Sequence, residues 1–333
     1  NPSATRDGRT MTSRDRVIAV IEHRRPDRLP IYGWLKANLA ETISREFGSV
    51  EAFEDRYEFD FAHLFGGARP YSKERLEALR GACGGTIEPA DLLDLELSDP
   101  DTEANYEGLR QALDHHKTQR SRFVYVQTPG IFQCLNGPFG IENHLMYLAL
   151  YPSELHRVYR RQAEWNRRFA MNCLDLGVDM IHVSDDWGAQ SGLMFSPDTW
   201  RELIRPYHAI TAEAVRRRGG YLSLHSDGNV SQLLDDIVAL GYNVVHPYQE
   251  SAGMDWRRYL EHYADQFTIM GGIDVQTTLG FGDYDRLRAE LERIVGTFRE
   301  GGLLLCTSHF VQDHCSLEEL VFAYDLIYDL VRQ

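Results

Sequence analysis

The sequence predicts an α/β protein of the (β/α)8 TIM-barrel class, with an N-terminal helical lead-in and an insertion between strands 2 and 3. Three observations carry that expectation. Eight short apolar runs of strand length alternate with longer amphipathic runs, the pattern of a buried parallel sheet with crossover helices. The 333 residues are 43% hydrophobic and 11% aromatic, enough apolar material for a large core. No G-x-G-x-x-G and no G-x-x-x-x-G-K-[ST] occurs, so the glycine-rich turn that usually opens a doubly wound sheet is missing.

The strand candidates are 30–34 (PIYGW), 60–65 (DFAHLF), 123–127 (FVYVQ), 178–183 (VDMIHV), 221–225 (YLSLH), 243–247 (NVVHP), 267–270 (FTIM) and 303–306 (LLLC). A lead-in helix is expected at 13–23. A second spans 153–176, where Leu155, Val158, Tyr159, Ala163, Trp165, Phe169 and Leu174 recur near helical spacing behind a Pro152-Ser153-Glu154 start. Stretches 197–218, 231–240, 284–299 and 316–331 read the same way. Ser316-Leu-Glu-Glu319 has the form of a capping box. Residues 66–122 form the insertion. The domain reading is 1–28 as extension and lead-in helix, then 29–333 as a single barrel domain. Met11 is a candidate start, in which case 1–10 would be an added extension.

Composition narrows the function. The formal charge is −15, which repels phosphate backbones and anionic lipid heads, so neither nucleic acid nor membrane is an expected partner. No apolar run approaches the ~20 residues of a membrane span. The first sixteen residues are polar, unlike a secretory signal. Five widely spaced cysteines without a Cys-x-x-Cys pair make no disulfide framework and point to a reducing cytoplasm.

In a barrel of this kind chemistry sits at the C-terminal strand ends. Asp185 and Asp186 follow the fourth strand candidate; they either cap a turn and face solvent, or hold substrate and orient a metal-bound histidine. His225 and Asp227 close the fifth. Extended residues at i and i+2 point the same way, so both can enter the mouth, unless Asp227 caps the next helix and His225 is a core histidine. His246 and Glu250 follow the sixth strand, and Asp274 follows Gly271-Gly272 after the seventh. Cys306 and His309 end the eighth, with Cys306 equally at home as a buried hydrophobe. Tyr32, Trp34, His63, Gln127, Gln133 and Asn136 are candidates for the wall of a substrate pocket, although each alone reads more simply as packing.

Several of these residues occur in a familiar order. Leu224-His-Ser-Asp-Gly-Asn229, Gly241-Tyr-Asn-Val-Val-His-Pro247, Gly271-Gly-Ile-Asp274, Gly301-Gly-Leu-Leu-Leu305 and the opening Arg14-Asp-Arg-Val17…Arg25-Pro-Asp-Arg28 resemble the uroporphyrinogen decarboxylase (URO-D) superfamily. The resemblance covers most of 14–330 and implies a (β/α)8 barrel. The superfamily holds true decarboxylases and zinc-dependent methyltransferases of corrinoid and coenzyme M type. The decarboxylases carry an R-Q-A-G-R segment for a polycarboxylate tetrapyrrole. Here 33–41 reads GWLKANLAE, without arginine, and one lysine cannot make bidentate contacts. The methyltransferases bind zinc through a His-x-Cys pair and a cysteine after the last strand. This chain keeps His225, has Asp227 for the cysteine, and places His309 at the last position, with Cys306 as the substitute ligand. A His/Asp/His set makes a harder, more Lewis-acidic zinc, or a site for another divalent metal.

The resemblance therefore implies a metal-dependent methyltransferase or demethylase acting on a small organic substrate. Asp185, Asp186 or Glu250 would position substrate or move a proton, and a corrinoid, its carrier protein or a folate would be the methyl partner. Family members of this kind are expected as homodimers. The alternative enzyme is a metal-free decarboxylase-like lyase using Asp185 and Tyr32. The third reading is a barrel that binds a ligand without chemistry.

Overall fold

The computed structural model describes residues 11–333. The expectations placed on 1–10, an added extension with no secretory signal, lie outside the described residues. Parallel strands alternate with helices in the expected α/β class. The chain divides into two compact units, one of 11–63, 115–124 and 243–333, the other of 64–114 and 125–242. Among the described residues, no helix is long and apolar enough to cross a membrane.

In the second unit, Met180–Ser184 lies parallel to Tyr221–His225, with Met180 opposite Tyr221 and Ser184 opposite His225. On its other side it pairs with Tyr125 to Pro129 of the strand Phe123–Pro129. The helix Pro152–Asp175 forms because Leu155, Val158, Tyr159, Ala163, Phe169 and Ala170 share one buried stripe. Its proline sits in the first turn, where a missing N–H costs nothing.

The single helix expected across 197–218 is interrupted. Pro197–Thr199 runs into one π turn, Trp200–Ile204, before Arg205–Arg217 resumes the α form. Pro206 has no N–H for a carbonyl one turn back, and the wider turn absorbs that gap.

In the first unit, Thr12 caps the lead-in helix Ser13–Ile21, its hydroxyl accepting from Asp15 N. The helix buries Val17, Ala19, Val20 and Ile21. The strands Val244–His246, Thr268–Ile273 and Leu303–Thr307 are parallel, with Val244 opposite Thr268 and Ile273 opposite Thr307. The strand expected at 30–34 shrinks to one bridge, Ile31 to Leu305. Tyr32 N donates to Leu305 O and Leu305 N to Pro30 O, but Trp34 N turns to the Thr307 hydroxyl. Gly33 packs under Tyr324, whose Oη would lie 1.9 Å from a Cβ there. Side chains thus complete what a longer ladder would have done.

Asp60 anchors this segment. Its buried carboxylate accepts from Ile31 N at 2.9 Å, from Arg16 Nη1 at 2.6 Å and from Arg28 Nη1 at 2.6 Å. Arg16 also pairs with Asp27 at 2.6 Å. Arg16, Asp27 and Arg28 of the opening motif are therefore part of a charge network that ties the lead-in to the strands.

The capping box expected at Ser316 is only half made. Ser316 Oγ accepts from Glu319 N at 3.1 Å, capping Leu317–Leu330. The Glu319 carboxylate instead accepts from Gly280 N, Phe281 N and Gly282 N, at 2.7, 3.2 and 3.0 Å. Gly280 and Gly282 adopt φ of 103° and 70°, which turns three successive N–H groups toward one point. A buried carboxylate is stabilised more by that nest than by one helix amide.

Asp60→Asn leaves two buried guanidinium groups short of a countercharge. The expected loss is about 3–5 kcal/mol of unfolding free energy, read by urea denaturation. A loss under about 1 kcal/mol would show that the network does not hold the segment.

Candidate functional site

The site of the second unit starts from two strand ends. Ser184 and His225 stand opposite each other, and the loops they release are laced together. Asp185 N donates to His225 O, Trp187 N to Ser226 Oγ, Asp227 N to Asp186 Oδ1 and Asn229 N to Ala189 O, each at 2.9 Å. Glycines permit the approach. A Cβ on Gly188 would lie 2.5 Å from Asp227 O, and one on Gly228 2.5 Å from Gly188 C.

This lacing brings Asp186, His225 and Asp227 together, with ligand atoms within 4.8 Å of one another. His225 Nε2 is 3.5 Å from Asp186 Oδ1 and 3.8 Å from Asp227 Oδ1. His225 is buried and the two carboxylates are half-buried. Burial raises the Asp186 carboxyl above its ordinary range, and the attraction of His225 and the Asp227 N–H offsets only part of that. One imidazole and two carboxylates suit a borderline or hard divalent cation such as zinc, manganese or ferrous iron, and three protein ligands leave coordination positions for substrate or water.

Asp185 has a different surrounding. It is fully buried, and it accepts from Gln133 N at 2.6 Å and from Trp187 Nε1 at 2.9 Å. Its Oδ2 pairs with His208 Nε2 at 2.6 Å, and His208 Nδ1 pairs with Tyr242 Oη at 2.7 Å. Burial pushes this carboxyl up, but His208 and the Gln133 and Trp187 N–H groups prevail and hold it low. Asp185 is thus an ionised anchor for its loop. Gln133 carries the anchor onward: its Oε1 accepts from Ser184 Oγ at 2.9 Å, and its Nε2 donates to Asp186 Oδ2.

Gln133 and Ser184 also line a cleft of about 380 Å³, together with Phe65, Arg69, Gln127 and Phe169. Arg69 is the one charged residue on its wall. Asn136, expected beside Gln127, turns to His144 at 2.7 Å, and His144 reaches Tyr159 Oη at 2.7 Å. Sequence reasoning missed His208, which lies inside Arg205–Arg217, away from every strand end. Its signal was a histidine on the stripe that buries Tyr207, Thr211, Ala212 and Val215.

In the first unit, Trp34 gathers several expected residues. Its ring centroid lies 5.1 Å from His63, 4.7 Å from His246, 5.9 Å from His309 and 5.1 Å from Phe310. Of the expected ligands, His225 and Asp227 stand with Asp186 in the second unit, while His309 and Cys306 belong to the first. Cys306 is fully buried in its strand, and burial pushes its thiol up. Tyr32 packs on Phe59 and Phe61, at 5.8 and 5.1 Å, and burial lifts its phenol well above 10.

Asp274 and Glu250 line a separate pocket of about 460 Å³. Asp274 caps a turn, accepting from Gln276 N at 2.7 Å and Ser251 Oγ at 2.5 Å. Glu250 pairs with Arg293 at 2.5 Å, and the Arg293 guanidinium lies 4.7 Å over the Trp256 ring. Burial raises the Glu250 carboxyl, against the pull of Arg293.

The sequence pattern of one family, described as uroporphyrinogen decarboxylase (URO-D), matches residues 133–329, from Gln133 through both loops to the last helix. The chain belongs to the uroporphyrinogen decarboxylase family. Uroporphyrinogen decarboxylases of Bordetella parapertussis and Bordetella bronchiseptica are each 27% identical to it over 172 residues, covering 49% of this chain and 45% of theirs. The chain thus matches less than half the length of these curated relatives. A methyltransferase from Methanosarcina mazei aligns over 96% of this chain and 98% of its own, with a TM-score of 0.66 and 16% identity. That likeness shows a shared fold, the TIM-barrel type of the URO-D family.

In this URO-D family chain, His208→Ala would strand the Asp185 charge without its imidazole partner. The expected cost is about 3–5 kcal/mol in urea unfolding. An unchanged midpoint would mean that the pair does not anchor the loop.

Proposed function

We propose that this chain is a metal-dependent methyltransferase, or demethylase, of the URO-D superfamily, acting on a small organic substrate. The observation that carries the reading is the meeting of Asp186, His225 and Asp227 beside a cleft of small-molecule size. Those three residues would hold the ion. A divalent cation there would supply Lewis acidity toward a substrate oxygen.

The remaining roles belong to the protein. Gln133 fixes Asp186 through its amide N–H. Asp185 and His208 keep the loop from shifting, since a misplacement of about 1 Å can cost on the order of 100-fold in rate. Gln127 orients the substrate, and Phe65 and Phe169 shield it from water. In the transfer, the methyl carbon leaves an oxygen that keeps the bonding pair and takes a proton. The carbon bonds to the nucleophile of a carrier, a corrinoid on its protein or a folate. The fold likeness to a methyltransferase supports this reading.

A second reading, metal-free decarboxylation, is favoured by the names of the curated relatives. Against it stand a cleft with a single cationic residue and a segment 33–41 without arginine, both poor matches for a polycarboxylate.

Calorimetric titration with Zn²⁺ should give about one ion per chain, and Asp186→Asn or His225→Ala should weaken it at least about 10-fold. His309→Ala in the same titration tests the further ligand that the resemblance implies. Chelated protein that binds no metal and still decarboxylates uroporphyrinogen would replace the first reading with the second.

A further inference from the structure

The cleft beside Asp186 has a charge pattern that the chain as a whole does not. Acidic residues outnumber basic ones 50 to 35, yet no carboxylate lines this cleft and one guanidinium does. Most arginines here sit against a carboxylate, among them Arg16, Arg28, Arg120, Arg122, Arg168 and Arg293. Among the described residues, Arg69 has no ion pair, although it stands on the wall of a second cavity as well.

The rest of the wall is neutral. Gln127, Gln133 and Ser184 offer amide and hydroxyl groups, while Phe65 and Phe169 contribute aromatic carbon. Phe65 is 56% exposed, so part of its ring is open to a ligand. Such a wall fits a molecule with one anionic end and an apolar body.

We infer that Arg69 is the anchor for a substrate carboxylate, so that the substrate class is a small organic monoacid. Its guanidinium offers a planar fork that matches a carboxylate with two parallel hydrogen bonds. The field of the site then sets the direction of binding. A divalent cation held there offsets the two carboxylates of Asp186 and Asp227, which leaves Arg69 as the uncompensated charge on the cleft wall, so the carboxylate end lies against Arg69 and the neutral, oxygen-bearing end faces Asp186 and His225. This inference rests on the methyltransferase reading and names the substrate of that same site.

Calorimetry on the full chain with benzoate, benzamide and phenyl phosphate tests it, with zinc stoichiometry measured on the same preparations. Benzoate should bind at least about 10-fold more tightly than its neutral amide, the worth of a charge-assisted pair. Arg69→Gln should abolish that preference and Arg69→Lys should keep part of it, with unfolding midpoints unchanged because the side chain is exposed. Equal binding of benzoate and benzamide, no binding of either, or a preference that survives Arg69→Gln would overturn the inference. Tighter binding of phenyl phosphate than benzoate would overturn the carboxylate class. Loss of zinc binding with an intact Arg69-dependent preference would sink the metal reading alone. Zinc binding without that preference would sink the anchor alone.

Discussion

One buried carboxylate–imidazole hydrogen bond sets the geometry of the second unit. Asp185 lies at the first position after a strand, with no access to solvent, and meets His208 from a covering helix at 2.6 Å. A carboxylate in that place is tolerable because three donors surround it. The consequence reaches its neighbour. With Asp185 pinned, Asp186 is obliged to turn the other way, toward Gln133, His225 and Asp227. Two adjacent acids of the same type thus take two tasks, one enclosed and one facing the cleft. The lacing of the glycine-bearing loops completes the arrangement from the other strand.

The first unit uses the same device twice without any chemistry attached. Asp60 collects Arg16, Arg28 and a backbone amide, and Glu319 collects three backbone amides. In each case a carboxylate taken out of water organises a stretch of chain that has little regular ladder of its own. Buried acids in this fold are therefore not by themselves signs of catalysis. What separates Asp186 and Asp227 from them is incomplete burial and a shared imidazole.

Much of the fold was legible because parallel strands are nearly continuous in hydrophobicity. The runs at 123–127, 178–183, 221–225 and 303–306 each lie within a residue or two of observed strands. The run at 30–34 was not legible as a bridge, because its ladder is replaced by the Thr307 hydroxyl and by Asp60, which no local pattern announces. At the site, the i, i+2 spacing placed His225 and Asp227 on one side of the chain. That Asp186 joins them depends on a contact between residues 41 positions apart, made possible by Gly188 and Gly228. His208 was hidden for a related reason: a lone histidine within a helix carries no mark of the acid it will meet.

The π turn Trp200–Ile204 has a bearing on that meeting. A regular helix advances about 100° per residue, so one additional residue in a single turn rotates everything downstream by roughly that angle. The segment behaves as a phase shifter. Upstream, Pro197–Thr199 keeps its own orientation; downstream, His208 swings onto the side that looks at Asp185. Drawing the same residues into uniform α pitch would carry the imidazole about 100° around the cylinder, away from its acid, whereas excising one residue there would leave His208 looking at Asp185.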